Sequence, residues 1–204
     1  MKIFLSIILY LIYAVYSCSA QSKDNQQPKF IQDFTVFQNA FEQANSGLYK
    51  YHTKKEIDSA FSANRMLIND RTTYRDFYNI IWNVIDYTGS SHNSLSYPDS
   101  LDQDLSKQKI FFPIPLKYLN GKLYSMLDSE GIPLGSEILS INKINAEKFA
   151  KNISKYPSTD GHNITGKYVS LETDWLPFYI YLAYGERDSY TIKFKKDNIV
   201  KSVL

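Results

Sequence analysis

Apolar positions fall into two regimes along the chain. From Phe30 to Thr88 they recur at helical spacing; from about residue 111 they gather into short runs separated by turns. Phe30, Phe34, Phe37, Phe41, Ala44 and Leu48 step by 4, 3, 4, 3 and 4 residues. That spacing predicts one helical face, with Gly47 near its stop. Thr53-x-x-Glu56 is a capping box, in which each side chain satisfies an orphan amide of a first helical turn. It predicts a second helix burying Ile57, Ala60, Phe61 and Leu67 or Ile68, with Asn64 a polar exception on that face. A third helix is expected from Thr72 or Thr73, with Asp76 in its first turn and Phe77, Ile80, Ile81, Val84, Ile85 and Thr88 inside. Connections of about five residues make antiparallel packing into a small three-helix bundle the economical arrangement.

Gly89 to Asp104 is rich in Ser, Asp and Asn and lacks a period, so it reads as a connecting loop. Strands are then expected over Phe111 to Tyr118 and Lys122 to Met126, around Asn120-Gly121, two residues that tolerate positive φ in a hairpin turn. A turn at Ile132 to Gly135 precedes a short strand, Glu137 to Ile141. Asn145 caps a helix with Ala146, Phe149, Ala150 and Ile153 on one side. Ile164, Tyr168, Leu171 and Trp175 predict a further helix, and Pro177 opens an aromatic stretch that Gly185 stops. Tyr190 to Phe194 and Ile199 to Leu204 read as strands around a turn at residues 195–198.

The first twenty residues follow neither regime. Met1-Lys2, an apolar run from Ile3 to Tyr16 broken only by Ser6, and Ser17-Cys18-Ser19-Ala20 describe a secretory signal peptide. The run is shorter than the roughly 18 residues of a spanning helix. Cleavage after Ala20 leaves 184 of the 204 residues and removes the single Cys. The alternative is a lipoprotein anchored at Cys18, for which Tyr16 is bulky where a small side chain is expected. Either way the protein is expected outside the cytoplasm. One Cys excludes an intramolecular disulfide framework and a thiolate zinc site. Lys and Arg number 23 against 21 Asp and Glu, so no global field draws the chain to nucleic acid or anionic lipid. No cofactor or metal is expected, since His52, His92 and His162 are far apart in sequence and lack ligand spacing.

Two segments carry a resemblance. Ile85-Asp86-Tyr87-Thr88-Gly89-Ser90-Ser91-His92-Asn93-Ser94-Leu95 resembles the Gly-x-His-Thr-like loop of the tail-specific, or C-terminal processing, serine peptidases and their tricorn-type relatives, with Asn93 where Thr is usual. Gly131-Ile132-Pro133-Leu134-Gly135-Ser136-Glu137-Ile138-Leu139-Ser140-Ile141-Asn142-Lys143-Ile144 resembles their PDZ core, Gly-Asp-x-Ile-x-x-Ile-Asn-Gly, with Ser136-Glu137 for the polar pair and Lys143 for the final Gly. The resemblance, from about residue 30 onward, implies an α+β chain: a three-helix bundle followed by a PDZ-like β domain with inserted helices. The division expected is a signal peptide over 1–20, a leader over 21–29, a helical domain over 30–95, a linker over 96–108 and a PDZ-like domain over 109–204. The family's nucleophile strand, apolar-Asp-x-Arg-x-Asn-x-Gly-Gly, does not occur. The chain therefore reads as the front part of an exported serine-type peptidase, inactive alone and ending in strand-like Val203-Leu204 before a catalytic domain. A free-standing secreted peptide-binding module and a nonfunctional remnant are the alternatives.

In that family a His before the PDZ-like unit acts as general base in some members; in others a Ser-Lys pair does the work and the His loop is structural. His92 is accordingly the catalytic candidate, with a loop-organising role as the alternative. By the same resemblance Leu134, Gly135 and Ile138 lie near a groove that takes peptide or protein tails by strand addition. Without it, Ile138 is a core residue and Gly135 a turn former. Tyr179, Tyr181 and Tyr184 are expected to pack internally, and Lys193, Lys195, Lys196 and Lys201 to face solvent.

Overall fold

The computed structural model describes residues 26–97 and 112–204. The expected signal peptide, Cys18 and most of the leader and linker lie outside these residues. Three helices come first: α1 (Gln27–Ala44), α2 (Lys54–Arg65) and α3 (Tyr74–Thr88). Capping boxes start both α2 and α3, Thr53 with Glu56 and Thr73 with Asp76, and Gly89 closes α3 in the left-handed conformation at φ 64°. α1 ends three residues before Gly47, because the Asn45 side chain takes the Gly47 amide and turns the chain. Leu48, expected on the α1 face, is therefore buried from the turn beyond it. Phe34, Phe37 and Phe41 of α1 meet Phe61 of α2 edge-on or tilted, with centroids 5.8–6.5 Å apart.

The remainder is built on an antiparallel sheet of β1 (Leu116–Leu119), β2 (Lys122–Ser125), β3 (Glu137–Ile141), β4 (Ile144–Asn145), β5 (Ile192–Lys196) and β6 (Ile199–Val203). The strand order is β1-β2-β3-β5-β6, with β4 also paired to β3. The architecture is α+β. β1 is shorter than the apolar run beginning at Phe111 because Pro113 and Pro115 have no N–H to donate to a ladder. Three two-residue turns join neighbouring strands with both residues at positive φ: Asn120-Gly121, Asn142-Lys143 and Asp197-Asn198. Lys143 adopts φ 66° without being glycine. Its partner Asn142 is held by paired bonds with Thr191, which accepts from the Asn142 amide at 2.8 Å and donates to its Oδ1 at 2.9 Å.

Between β4 and β5 the chain inserts α4 (Ala146–Ile153), α5 (Ile164–Val169), a 3-10 turn at Ser170–Glu172 and α6 (Leu176–Tyr184). The helix expected over residues 164–175 is thus interrupted. Thr173 is extended and its hydroxyl accepts from the Trp175 amide, so Trp175 falls outside the helical face and is 62% exposed. The outer side of β1 is covered by this insertion through a stacked Tyr118–Tyr168 pair and a Lys117–Glu172 ion pair. Helices and sheet share one hydrophobic core, running from Phe30, Phe34 and Phe61 through Val84 to Ile138, Phe149, Ile180 and Phe194.

Candidate functional site

His92 lies four residues past the end of α3, in a loop that leaves the helix through Gly89. The loop is fixed mainly by Asn93, where the resembled motif has Thr. Its side-chain Nδ2 donates to Thr88 Oγ1 at 3.1 Å, its Oδ1 accepts from the Asn45 side chain at 3.4 Å, and its backbone carbonyl accepts from the Ser158 hydroxyl at 2.7 Å. Two further contacts come from the turn after α4. The Gly161 amide donates to the Gly89 carbonyl at 2.8 Å, and the Ser91 amide donates to Asp160 Oδ1 at 3.0 Å. His92 itself spends only its backbone, donating to Ser90 Oγ at 3.3 Å. Its exposed imidazole makes no hydrogen bond among the described residues.

The imidazole borders a cleft of about 730 Å³. Phe37, Phe41 and Ile85 give the cleft an apolar floor, and Lys50, Asn93 and Asp160 share its rim with His92. The Asp160 carboxyl is held below the usual carboxylate range. The Ser91 amide and hydroxyl bonds are the main causes, and the Lys50 and His92 charges add to them. Such a site offers an unengaged proton acceptor beside an apolar recess and an ionised carboxylate. It can take a proton from an incoming hydroxyl, and it contains no hydroxyl bonded to the imidazole.

The other sequence candidates lie elsewhere. Leu134 is 55% exposed at a turn whose polar groups are already engaged. Its amide donates to Asp128 Oδ1 at 2.8 Å and its carbonyl accepts from Lys196 at 2.8 Å. Gly135 stands at φ 72° and donates to the Ser125 carbonyl. Ile138 is 1% exposed, opposite Leu123 of β2 and Phe194 of β5, so its side chain is core. β3 has neighbours on both sides and no open edge along Ile138. His92 and the Leu134 turn are not brought together in one cleft. His52 stacks on Tyr87 at 4.1 Å, and His162 is exposed. Among the described residues no three His, Cys, Asp or Glu side chains gather as metal ligands. Tyr179 stacks on Tyr156, and Tyr184 on Phe149.

Asn45, Lys50 and Asp160 were missing from the sequence-derived site. Asp160-Gly161 is a turn signal in the sequence, and nothing local to it points 69 residues back to Ser91.

No family model matches the sequence, and no curated protein does. Solved structures do match. It resembles part of mature CPAF. The crystal structure of mature CPAF superposes with a TM-score of 0.50 at 12% identity, covering 87% of this chain and 34% of the CPAF chain. Mature CPAF complexed with lactacystin gives 0.52 at 13% identity with the same coverage. CPAF is a serine protease of the tail-specific type. This chain spans about a third of its length, and at such identity the likeness is one of fold.

Proposed function

We propose that this chain is the non-catalytic front part of an exported serine-type peptidase. In this reading residues 30–95 form a three-helix bundle bearing the base, and residues 109–204 a PDZ-like unit that recognises peptide or protein tails. The observation that carries it is the fold likeness to CPAF over 87% of the chain. A serine supplied by a further domain would attack the peptide carbonyl while its proton passes to His92. Collapse of the tetrahedral adduct would return that proton to the leaving amine, and water would then cleave the acyl-enzyme.

The chain alone is then inert. Incubated with casein or a tail peptide it should show no turnover; turnover abolished by a serine-directed inhibitor would sink the reading. A protein that carries the chain together with a nucleophile-bearing domain should cleave, and His92→Ala should reduce kcat by about a thousandfold or more, the scale set by losing a general base. Export through residues 1–20 is part of the same proposal and is checked by the N-terminus of the secreted product.

The second reading is a secreted peptide-binding module without chemistry. It is favoured by one observation: among the described residues no hydroxyl is bonded to the His92 ring. Tail-peptide binding by the chain with no cleavage in any longer form would select it.

A further inference from the structure

We propose that Asp160 is the positioning residue for His92: its carboxylate grips the peptide unit one residue before the histidine and lines the same cleft as His92. The inference rests on reading His92 as the base. Asp160 comes from the turn after α4, outside the helices that bear His92, and its Oδ1 accepts from the Ser91 amide at 3.0 Å. The Ser90–Ser91 peptide plane, one residue before His92, is therefore set by a residue 69 positions away in sequence rather than by α3. Two neighbours keep Asp160 from swinging off. Gly161 donates to the Gly89 carbonyl at 2.8 Å, and Ser158 donates to the Asn93 carbonyl at 2.7 Å, so residues 158–161 grip the His loop at three successive points. Gly161 sits at φ 58° with the Tyr51 ring 3.0 Å from where a Cβ would be, which closes the turn from behind.

The arrangement has the parts that a histidine base requires. The imidazole needs a fixed direction, and a nearby negative charge stabilises the imidazolium formed during transfer. Asp160 supplies the first through the Ser91 amide, and its carboxylate lines the cleft rim beside His92, where the other charged side chain is Lys50. It acts through the loop and the field and bonds neither ring nitrogen, so it is a positioning residue.

The test compares the chain carrying Asp160→Ala and Asp160→Asn with the unaltered protein, by nuclear magnetic resonance at fixed pH. Three signals are read: exchange of the Ser91 amide, the His92 ring Cε1–H resonance, and the Trp82 indole as a marker of the fold. Asp160→Ala is expected to speed Ser91 exchange about tenfold, as a charge-assisted bond is lost, and to displace the ring resonance. Asp160→Asn keeps an oxygen acceptor and is expected to restore Ser91 protection to within about threefold. It should leave the ring resonance displaced, because the charge is gone. A ring resonance unmoved in Asp160→Asn overturns the proposal, as does Ser91 exchange in Asp160→Ala within about twofold of the unaltered protein. If the Trp82 indole moves in Asp160→Ala, the Asp160→Asn ring resonance alone decides. None of these signals needs peptidase activity. Failure of the base reading shows instead as retained cleavage by His92→Ala in a nucleophile-bearing form, so the two failures are distinguishable.

Discussion

The indole N–H of Trp82 donates a 2.7 Å hydrogen bond to the carbonyl of Lys155. One residue is in α3 and the other just past α4, so the bond ties the helical region to the insertion of the sheet. Trp82 is 6% exposed and stacks in parallel on Tyr78 at 5.9 Å. Trp82→Phe keeps a ring but orphans the carbonyl, and should cost about 1–3 kcal/mol. Trp82→Ala adds a cavity and should cost about 3–5 kcal/mol. Urea denaturation of both variants checks the ordering.

The Gly89–Gly161 contact is a close backbone approach. Both residues lie at positive φ, 64° and 58°, where a side chain is strained. Gly89→Ala should destabilise by about 1 kcal/mol from φ alone. Gly161→Ala should cost more, because its Cβ also meets the Tyr51 ring at 3.0 Å. Thermal unfolding of the two variants reads the difference.

Asp86 gives the fold a pH signature. It pairs with Lys167, yet burial pushes its carboxyl above the ordinary range, and Lys167 and Lys155 offset only part of that. The native state thus binds this proton more tightly than the unfolded chain, so Asp86 adds stability as pH falls through its raised value. The gain is complete below the ordinary carboxylate value. Glu56 and Asp160 are lowered by their hydrogen bonds and act the other way. Their contribution is present above the ordinary carboxylate value and is lost as pH falls through the depressed ones. The stability of the wild type relative to Asp86→Asn should therefore rise between about pH 7 and about pH 4. Urea midpoints along that range test it; a flat difference would show that Asp86 titrates normally.

Leu134 and Ile138 should separate recognition from folding. Leu134 is exposed, so Leu134→Asp should leave stability within about 0.5 kcal/mol. If the turn contacts a tail, that change should weaken binding of an apolar tail peptide by about tenfold, through the lost burial of one Leu side chain. Ile138→Ala should instead cost about 2–5 kcal/mol, as a core truncation. Calorimetric titration with tail peptides, paired with denaturation, measures both.

Local signals in the sequence carried most of the element plan. Period marked both α2 and α3, and the capping box at Thr53 marked the start of α2, because a first turn writes its own hydrogen-bond partners into four consecutive residues. The hairpin at Asn120-Gly121 was legible for the same reason. The break at Thr173 was not, since the apolar period of Leu171 and Trp175 continues across it while a hydroxyl takes the helical amide. The turn at Asn142-Lys143 was equally obscure: side-chain bonding to Thr191, 49 residues on, lets a Lys stand where Gly is usual. Of the candidate site, His92 was visible through its loop. Asp160 was not, because a long-range bond to a backbone amide leaves no trace in local spacing.

The insertion of α4 to α6 between β4 and β5 decides how this protein comes apart. Tyr156 and Ile180 sit in the same core as Val84 and Phe34, so the sheet cannot shed the helices without exposing that apolar surface. The line drawn near residue 109 separates two stretches of sequence, while melting should cross it in a single cooperative step. A fragment beginning at residue 109 should bind a hydrophobic dye where the whole chain does not. The histidine loop and the sheet would then be lost together, at one temperature.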